Sequence, residues 1–356
     1  MQKQETQPRK RRFTLQWHVT AKCSNRCTHC YLQNSEGYRS EIENELSLSD
    51  CLKVIDDFYR TTTAWNIPAR VNFTGGDPLL KPEIFNLIEY ATKKGITIGI
   101  LGNPEYLDYK TALRLKELGV ARYQLSIDGM EKTHDGFRSN GSFERTLKGI
   151  RILNQVGIPS VVMFTLSKQN TDEIIPVIDL VTKEKVVLFD FARLVPIGSG
   201  TQFQNDMLKP KEYRDLLLNI LEEYKRLKEE DCNTYFSRKE NLWKLLYQEL
   251  GLLQPLPKDK KTIFGGCDIG ISSLSVLADG TVYSCRRLPV RIGKVPNESL
   301  RDIFMKSPEQ NKMREIERME KCSKCELFQF CRGCPAVAYA VSGNYFAPDP
   351  QCWKEL

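Results

Sequence analysis

The residues best suited to chemistry stand in the stretch Ala21 to Tyr31, AKCSNRCTHCY, where Cys23, Cys27 and Cys30 are spaced C-x3-C-x2-C. Three thiolates this close can hold three corners of a cubic iron-sulfur cluster, and the fourth iron is then left without a protein ligand. A cluster held by four Cys is suited to electron transfer, whereas an open iron can bind a cofactor or substrate directly. Zinc is the plainer alternative, but a structural zinc site wants four ligands, usually as two pairs, so the triplet alone favours a cluster. Seven more Cys follow near the C-terminus: Cys267, Cys285, Cys322, Cys325, Cys331, Cys334 and Cys352. Four of these read C-x2-C-x5-C-x2-C, and the x5 gap disfavours zinc-ribbon pairs, which stand more than about twelve residues apart.

The elements that must position these residues follow from the patterning. From Phe13 to Ala192 short apolar runs alternate with amphipathic helices, the mark of βα units and a parallel sheet. Six runs are expected as strands: Thr14 to Val19, Arg70 to Phe73, Ile96 to Leu101, Tyr123 to Ile127, Ser160 to Leu166 and Val186 to Phe191. Between them Pro82 opens a helix that Gly95 ends, Gly119 ends the next, and Ser142 is expected to cap one that closes at Gly157. Ligands sit at the carboxyl ends of strands in such sheets, and the Cys triplet follows the first strand. After the second strand comes Thr74-Gly75-Gly76-Asp77-Pro78, where two glycines let backbone approach a ligand and leave amide and carbonyl groups free to bond it. On the fourth strand, alternation aims Gln124, Ser126 and Asp128 at one face, opposite Leu125 and Ile127. Asn103 ends the third strand as a cofactor-facing candidate.

Residues 208–253 read as a helical bridge in which Trp243 and Tyr247 pack a core, and Asp279-Gly280 signals a hairpin. Cys51 shares an apolar helical stripe with Ile55 and Phe58 and is expected as a buried thiol, while Cys232 fits no pattern. The expected division is an N-terminal tail 1–12, a barrel 13–200, the bridge 201–260 and a Cys-rich domain 261–356. The formal charge of +7 counts every Cys as neutral. Three clusters with their thiolates would add roughly four to six negative charges, so the basic run Arg9 to Arg12 is read as a solvated tail, with no nucleic-acid partner. Without a signal sequence or an apolar run of membrane length, a cytoplasmic protein is expected, with no membrane partner.

The triplet, its place after the first strand and the turn one βα unit later resemble the radical SAM enzymes. That resemblance implies a partial (β/α)6 TIM-like barrel, an α/β fold, in which the free iron is chelated by S-adenosylmethionine and the sulfonium is cleaved reductively to a 5'-deoxyadenosyl radical. Gly75, Gly76 and Asp77 match the family's GGEP motif, with Asp77 for the usual Glu, and would bind the methionyl amino group. Ser126 and Asp128 would lie by the ribose and methionine portion. Arg138, in His134-Asp135-Gly136-Phe137-Arg138, would meet a carboxylate, its alternative being a surface ion pair with an acid such as Asp135. Val195, in Leu194-Val195-Pro196, would pack near the adenine. The C-terminal Cys resemble the SPASM extension, a small α+β domain. Carried over, Cys267, Cys285 and Cys334 would hold one auxiliary [4Fe-4S] cluster with an open iron, and Cys322, Cys325, Cys331 and Cys352 would close another.

The function this implies is hydrogen-atom abstraction and oxidation of a substrate, with electrons leaving through the auxiliary clusters and a reductant such as flavodoxin or ferredoxin. A peptide or protein substrate, small and Cys-containing, crosslinked through thioether or carbon-carbon bonds, is expected first. Maturation of a small cofactor, such as a haem or quinone precursor, comes second, alongside sulfatase maturation; a non-catalytic metal scaffold comes last. Only about twenty residues precede Cys23, so a winged-helix leader-binding domain is not expected within them and a separate leader-binding protein would take its place.

Overall fold

A computed structural model describes residues 12–35, 37–253 and 263–356; the basic run before Arg12 and the boundary expected at 260 lie outside them. The chain lays down β1 (Phe13–Thr20), β2 (Ala69–Gly75), β3 (Thr97–Leu101), β4 (Arg122–Ser126), β5 (Ser160–Leu166) and β6 (Leu188–Arg193) in sequence order, each hydrogen-bonded in parallel to the next. The parallel order is what the βα alternation predicts, and the α/β partial barrel is what the resemblance implies. Its outer face is apolar: Leu15, Trp17, Val71, Phe73, Ile98, Ile100, Tyr123 and Leu125 are all buried. The helix Leu48–Ala64 covers β1 with Val54, Ile55 and Phe58, and Cys51 is buried on the same stripe. Burying each such side chain contributes about 1.5–3 kcal/mol, enough for the stripe to fix which helix face turns inward. The alternate residues, among them Thr14, Gln16, Asn72, Gln124 and Ser126, turn into the barrel.

Four details differ from the patterning. The sixth strand begins at Leu188, because Lys185 turns left-handed (φ 56°) and the Val186 N–H still closes the preceding helix on Val181 O. Ser142 is the first helical residue and not a cap. Gly141 holds the cap position, while the Asp135 carboxylate accepts the N–H groups of Gly141 and Phe143 at 2.5 and 2.8 Å, and Ser142 Oγ lies 3.1 Å from His134 Nε2. The bridge is helical over Pro210–Glu229 and Trp243–Glu249, but between them β7 (Tyr235–Phe236) extends the barrel sheet beside β6.

The fourth difference is the largest. The C-terminal strands β8 (Ser273–Val276), β9 (Thr281–Cys285) and β10 (Leu288–Lys294) form the expected Asp279-Gly280 hairpin and a further antiparallel strand, yet β8 also pairs in parallel with β1, Leu15 opposite Leu274. One sheet therefore runs β10-β9-β8-β1-β2-β3-β4-β5-β6-β7. The Cys-rich region grows from the barrel's own first strand.

Candidate active site

The loop 21–31 leaves β1 and turns across the ends of β2 and β3. Its shape depends on the Gly75-Gly76 turn: a Cβ on Gly75 would stand 2.0 Å from Thr20 O, and one on Gly76 2.1 Å from Lys22 O. The Gly76 and Asp77 N–H groups donate to those carbonyls at 2.9 and 2.8 Å. This corrects the expectation that the amides are free for a ligand, since the close approach the glycines permit is to the Cys loop itself. Asp77 is fully buried, and Oδ1 caps the following turn by accepting Leu79 N–H at 3.1 Å. Burial, with no cation paired to it, pushes its carboxyl up to about 7.

Donors surround the three thiols. Asn103 Nδ2 lies 3.2 Å from Cys23 Sγ, and Arg138 Nη1 4.0 Å from Cys27 Sγ. Arg138 pairs with Asp128 at 2.6 Å, so its partner is not Asp135. Asp128 also accepts Thr165 N–H at 2.8 Å and stands 3.4 Å from His29 Nε2. Burial alone would raise Asp128, but Arg138, with His29 and His134, holds it at about 2. Burial lowers His29 to about 4, which leaves it a neutral imidazole. On the far side Ser199 N–H binds Cys30 O at 2.9 Å, after the turn at Gly198 (φ 58°) that follows Val195.

The C-terminal Cys lie in two groups. Cys267, Cys285 and Cys334 lie within electrostatic reach of one another, with the Arg287 guanidinium beside Cys285 and Cys334. Cys334 N–H donates to Asp349 at 2.8 Å, and Asp349 makes a two-pronged ion pair with Arg193 at the end of β6, both contacts 2.8 Å. Cys322, Cys325, Cys331 and Cys352 form a third group; Leu327 N–H and Gly333 N–H approach Cys325 Sγ and Cys331 Sγ at 3.4 Å. Burial and neighbouring thiols push Cys27, Cys322 and Cys331 up to about 12, so these sulfurs become thiolates only against a strongly positive group. Among the described residues no three Cys, His, Asp or Glu are gathered as a site for a single metal ion. Cys51 and Cys232 join none of the three groups; their sulfurs lie near Leu46 O and Thr182 Oγ1.

A cavity of about 560 Å³ occupies the barrel interior. Both three-thiol groups open onto it, as do Gly75, Gly76, Ser126, Arg138 and Val195, whereas Asp77 and Asp128 stand behind the wall. The four-thiol group lines a separate void of about 20 Å³. Residues missed in the sequence also face the main cavity. Tyr31 lies 3.3 Å from His18 Nε2 and beneath the Arg286 guanidinium, and Arg12, Arg70, Arg122 and Arg287 add charge. Polar side chains at alternate positions of strands otherwise buried, as in Arg70-Val71-Asn72-Phe73-Thr74, are the signal that would have found them.

The "Radical SAM superfamily" family model matches residues 17–181, and that of an "Iron-sulfur cluster-binding domain", SPASM, residues 267–335. An AdoMet-dependent heme synthase of Methanosarcina barkeri is 29% identical over 95% of both chains. An Fe-coproporphyrin III synthase of the same organism is 30% identical over 95% of this chain and 86% of its own. Among solved structures, Streptococcus suis SuiB bound to S-adenosylmethionine shares the fold, with a TM-score of 0.76 at 18% identity over 97% of this chain and 78% of that one.

Proposed function

The chain belongs to the radical SAM superfamily and carries its SPASM-type cluster-binding domain, and from that premise we propose that it matures a small cofactor precursor of the iron-tetrapyrrole class. The observation that carries this reading is the cavity: both three-thiol groups face one space of about 560 Å³, inside the ~300–1,000 Å³ range of small-molecule sites. Similarity to haem synthases along nearly the whole chain supports it, more than it supports the peptide reading.

In this reading Cys23, Cys27 and Cys30 hold the [4Fe-4S] cluster that binds S-adenosylmethionine, Cys267, Cys285 and Cys334 hold an auxiliary cluster, and Cys322, Cys325, Cys331 and Cys352 another. When bound, these groups supply an electron to the sulfonium, a 5'-deoxyadenosyl radical, and an exit for the electron that the substrate gives up. The chain's own residues orient and seal the site. Gly75-Gly76 and Ser199 pin the Cys loop, Asp128 fixes Arg138 toward Cys27, and Ser126 and Val195 line the space that the cofactor would occupy. Arg138 offers a guanidinium edge to a carboxylate there. Burial keeps His29 neutral, so it places no second cation beside Arg138. Electrons would enter from a flavodoxin- or ferredoxin-type reductant.

The test is anaerobic turnover of the reconstituted protein with S-adenosylmethionine, dithionite and iron-coproporphyrin III. A mass change in the porphyrin matched to 5'-deoxyadenosine is expected; an untouched porphyrin beside a modified peptide would overturn the reading. Peptide modification is the second reading: Streptococcus suis SuiB, which shares the fold, is solved bound to a precursor peptide, SuiA, and a separate leader-binding partner belongs to this reading.

A further inference from the structure

We propose that Arg12, Arg70 and Arg122 form a carboxylate-binding subsite at the end of the cavity opposite the Cys23/Cys27/Cys30 loop, where it holds the peripheral carboxylates of the substrate; this rests on the tetrapyrrole reading above. The three come from the starts of different strands. Arg12 immediately precedes β1, Arg70 is the second residue of β2 and pairs in register with Thr14, and Arg122 is the first residue of β4. All three line the cavity, and Asn72, Thr74 and Gly76 lead from Arg70 along the inner face of β2 toward the Cys loop. Six residues of strand at about 3.3 Å each set the Arg70 backbone roughly 20 Å from that loop.

Among the described residues no carboxylate pairs with this charge. The charged groups acting on Arg70 are Arg122 and Arg12, and the one acting on Arg122 is Arg12; no carboxylate is among them. Arg70 Nε is buried without a hydrogen-bond partner, and Arg122 reaches only the neutral Asn72 Oδ1, at 3.3 Å. The neighbouring strand makes room for them. A Cβ on Gly99 of β3 would stand 2.6 Å from Asn72 Oδ1 and 3.3 Å from Arg122 Nε. Burial and mutual repulsion lower Arg70 to about 10, and an anion between the guanidiniums relieves both. Guanidiniums pair with carboxylates two-pronged, and a substrate with several peripheral carboxylates matches a cluster better than a single charge does.

The experiment compares the reconstituted wild type with the Arg70→Met/Arg122→Met variant by optical titration with iron-coproporphyrin III, which has four carboxylates, and with its neutral tetramethyl ester. Binding of the acid is expected to weaken at least tenfold in the variant, and that of the ester to stay within twofold. Equal binding of the acid by both proteins overturns the subsite while leaving the tetrapyrrole reading intact. If the wild type binds neither porphyrin, the tetrapyrrole reading fails, and tricarballylate then decides the subsite: a thermal midpoint raised in the wild type but not in the variant upholds it, and no shift overturns it. Should the double variant lose its clusters, Arg122→Met alone serves in the same titrations. Loss of like-charge repulsion predicts a ligand-free variant at least as thermally stable as the wild type.

Discussion

The two three-thiol groups and the four-thiol group put the same side chain in different surroundings. Three thiols at 23–30 and three at 267–334 look into one large cavity, with guanidiniums and an amide beside them. Four thiols at 322–352 close around a void of about 20 Å³ whose wall includes Leu245, Leu327 and Phe328. The difference lies in ligand number and in what the open side faces. Four thiols around a small void suit electron storage and structural support, and three thiols facing a cavity suit binding.

Breaking each group in turn tests that contrast. The largest effect is expected from Cys27→Ala: two thiols cannot hold a cluster with one defined vacancy, so 5'-deoxyadenosine should fall to background by chromatography. Cleavage at the wild-type rate would mean that the triplet is not the site. Next, Cys285→Ala should separate cleavage from product: 5'-deoxyadenosine formation stays within about threefold while substrate conversion drops at least a hundredfold, about 2.7 kcal/mol in the barrier. If conversion survives, the cavity-facing auxiliary group has no part in the reaction. Replacing Cys322 and Cys325 together should act through the fold instead, taking iron from about twelve to about eight per chain and lowering the thermal midpoint by several degrees. About four irons with stoichiometric zinc in the intact protein would restore a zinc-domain reading.

A subtler contrast concerns the carboxylates behind the two open groups. Asp349 would be raised by burial, but the Arg193 guanidinium holds it below its ordinary value; Asp77 has no such partner and rises from 3.8 to about 7. A carboxyl whose folded value lies above its unfolded one weakens the fold as pH climbs through that window. Asp77→Asn should therefore be more stable than the wild type at pH 8, by at most roughly 4 kcal/mol, with the gap closing as pH falls from 7 toward 4. Urea melts at both pH values read this; a gap that widens at low pH would mean that the carboxylate is stabilising.

Much of this was legible because it is local. The βα alternation located six strands, and the Cys spacings drew attention to the thiols. What escaped depends on contacts distant in sequence. Asp135 is three residues from Arg138 yet caps a helix, because the chain folds Asp128 back beneath the guanidinium. The role of the two glycines was misread because the surface they approach is the Cys loop, some fifty residues earlier. The arginines at the cavity's far end are visible only as polar residues at alternate positions, and such a pattern acquires meaning once three strands are brought together.

The pairing of β8 with β1 joins Thr14 to Ser273 across roughly 260 residues of chain. Until the ribosome has delivered that segment, a nascent barrel shows a bare row of backbone donors and acceptors along its first strand, the kind of edge that recruits other extended chains. Truncation before the C-terminal strands would leave the same edge uncovered permanently, so a barrel expressed alone should aggregate even with its cluster intact. The C-terminal region thus acts as an edge guard for the barrel, as well as housing thiols, and the two duties cannot be separated by cutting the chain.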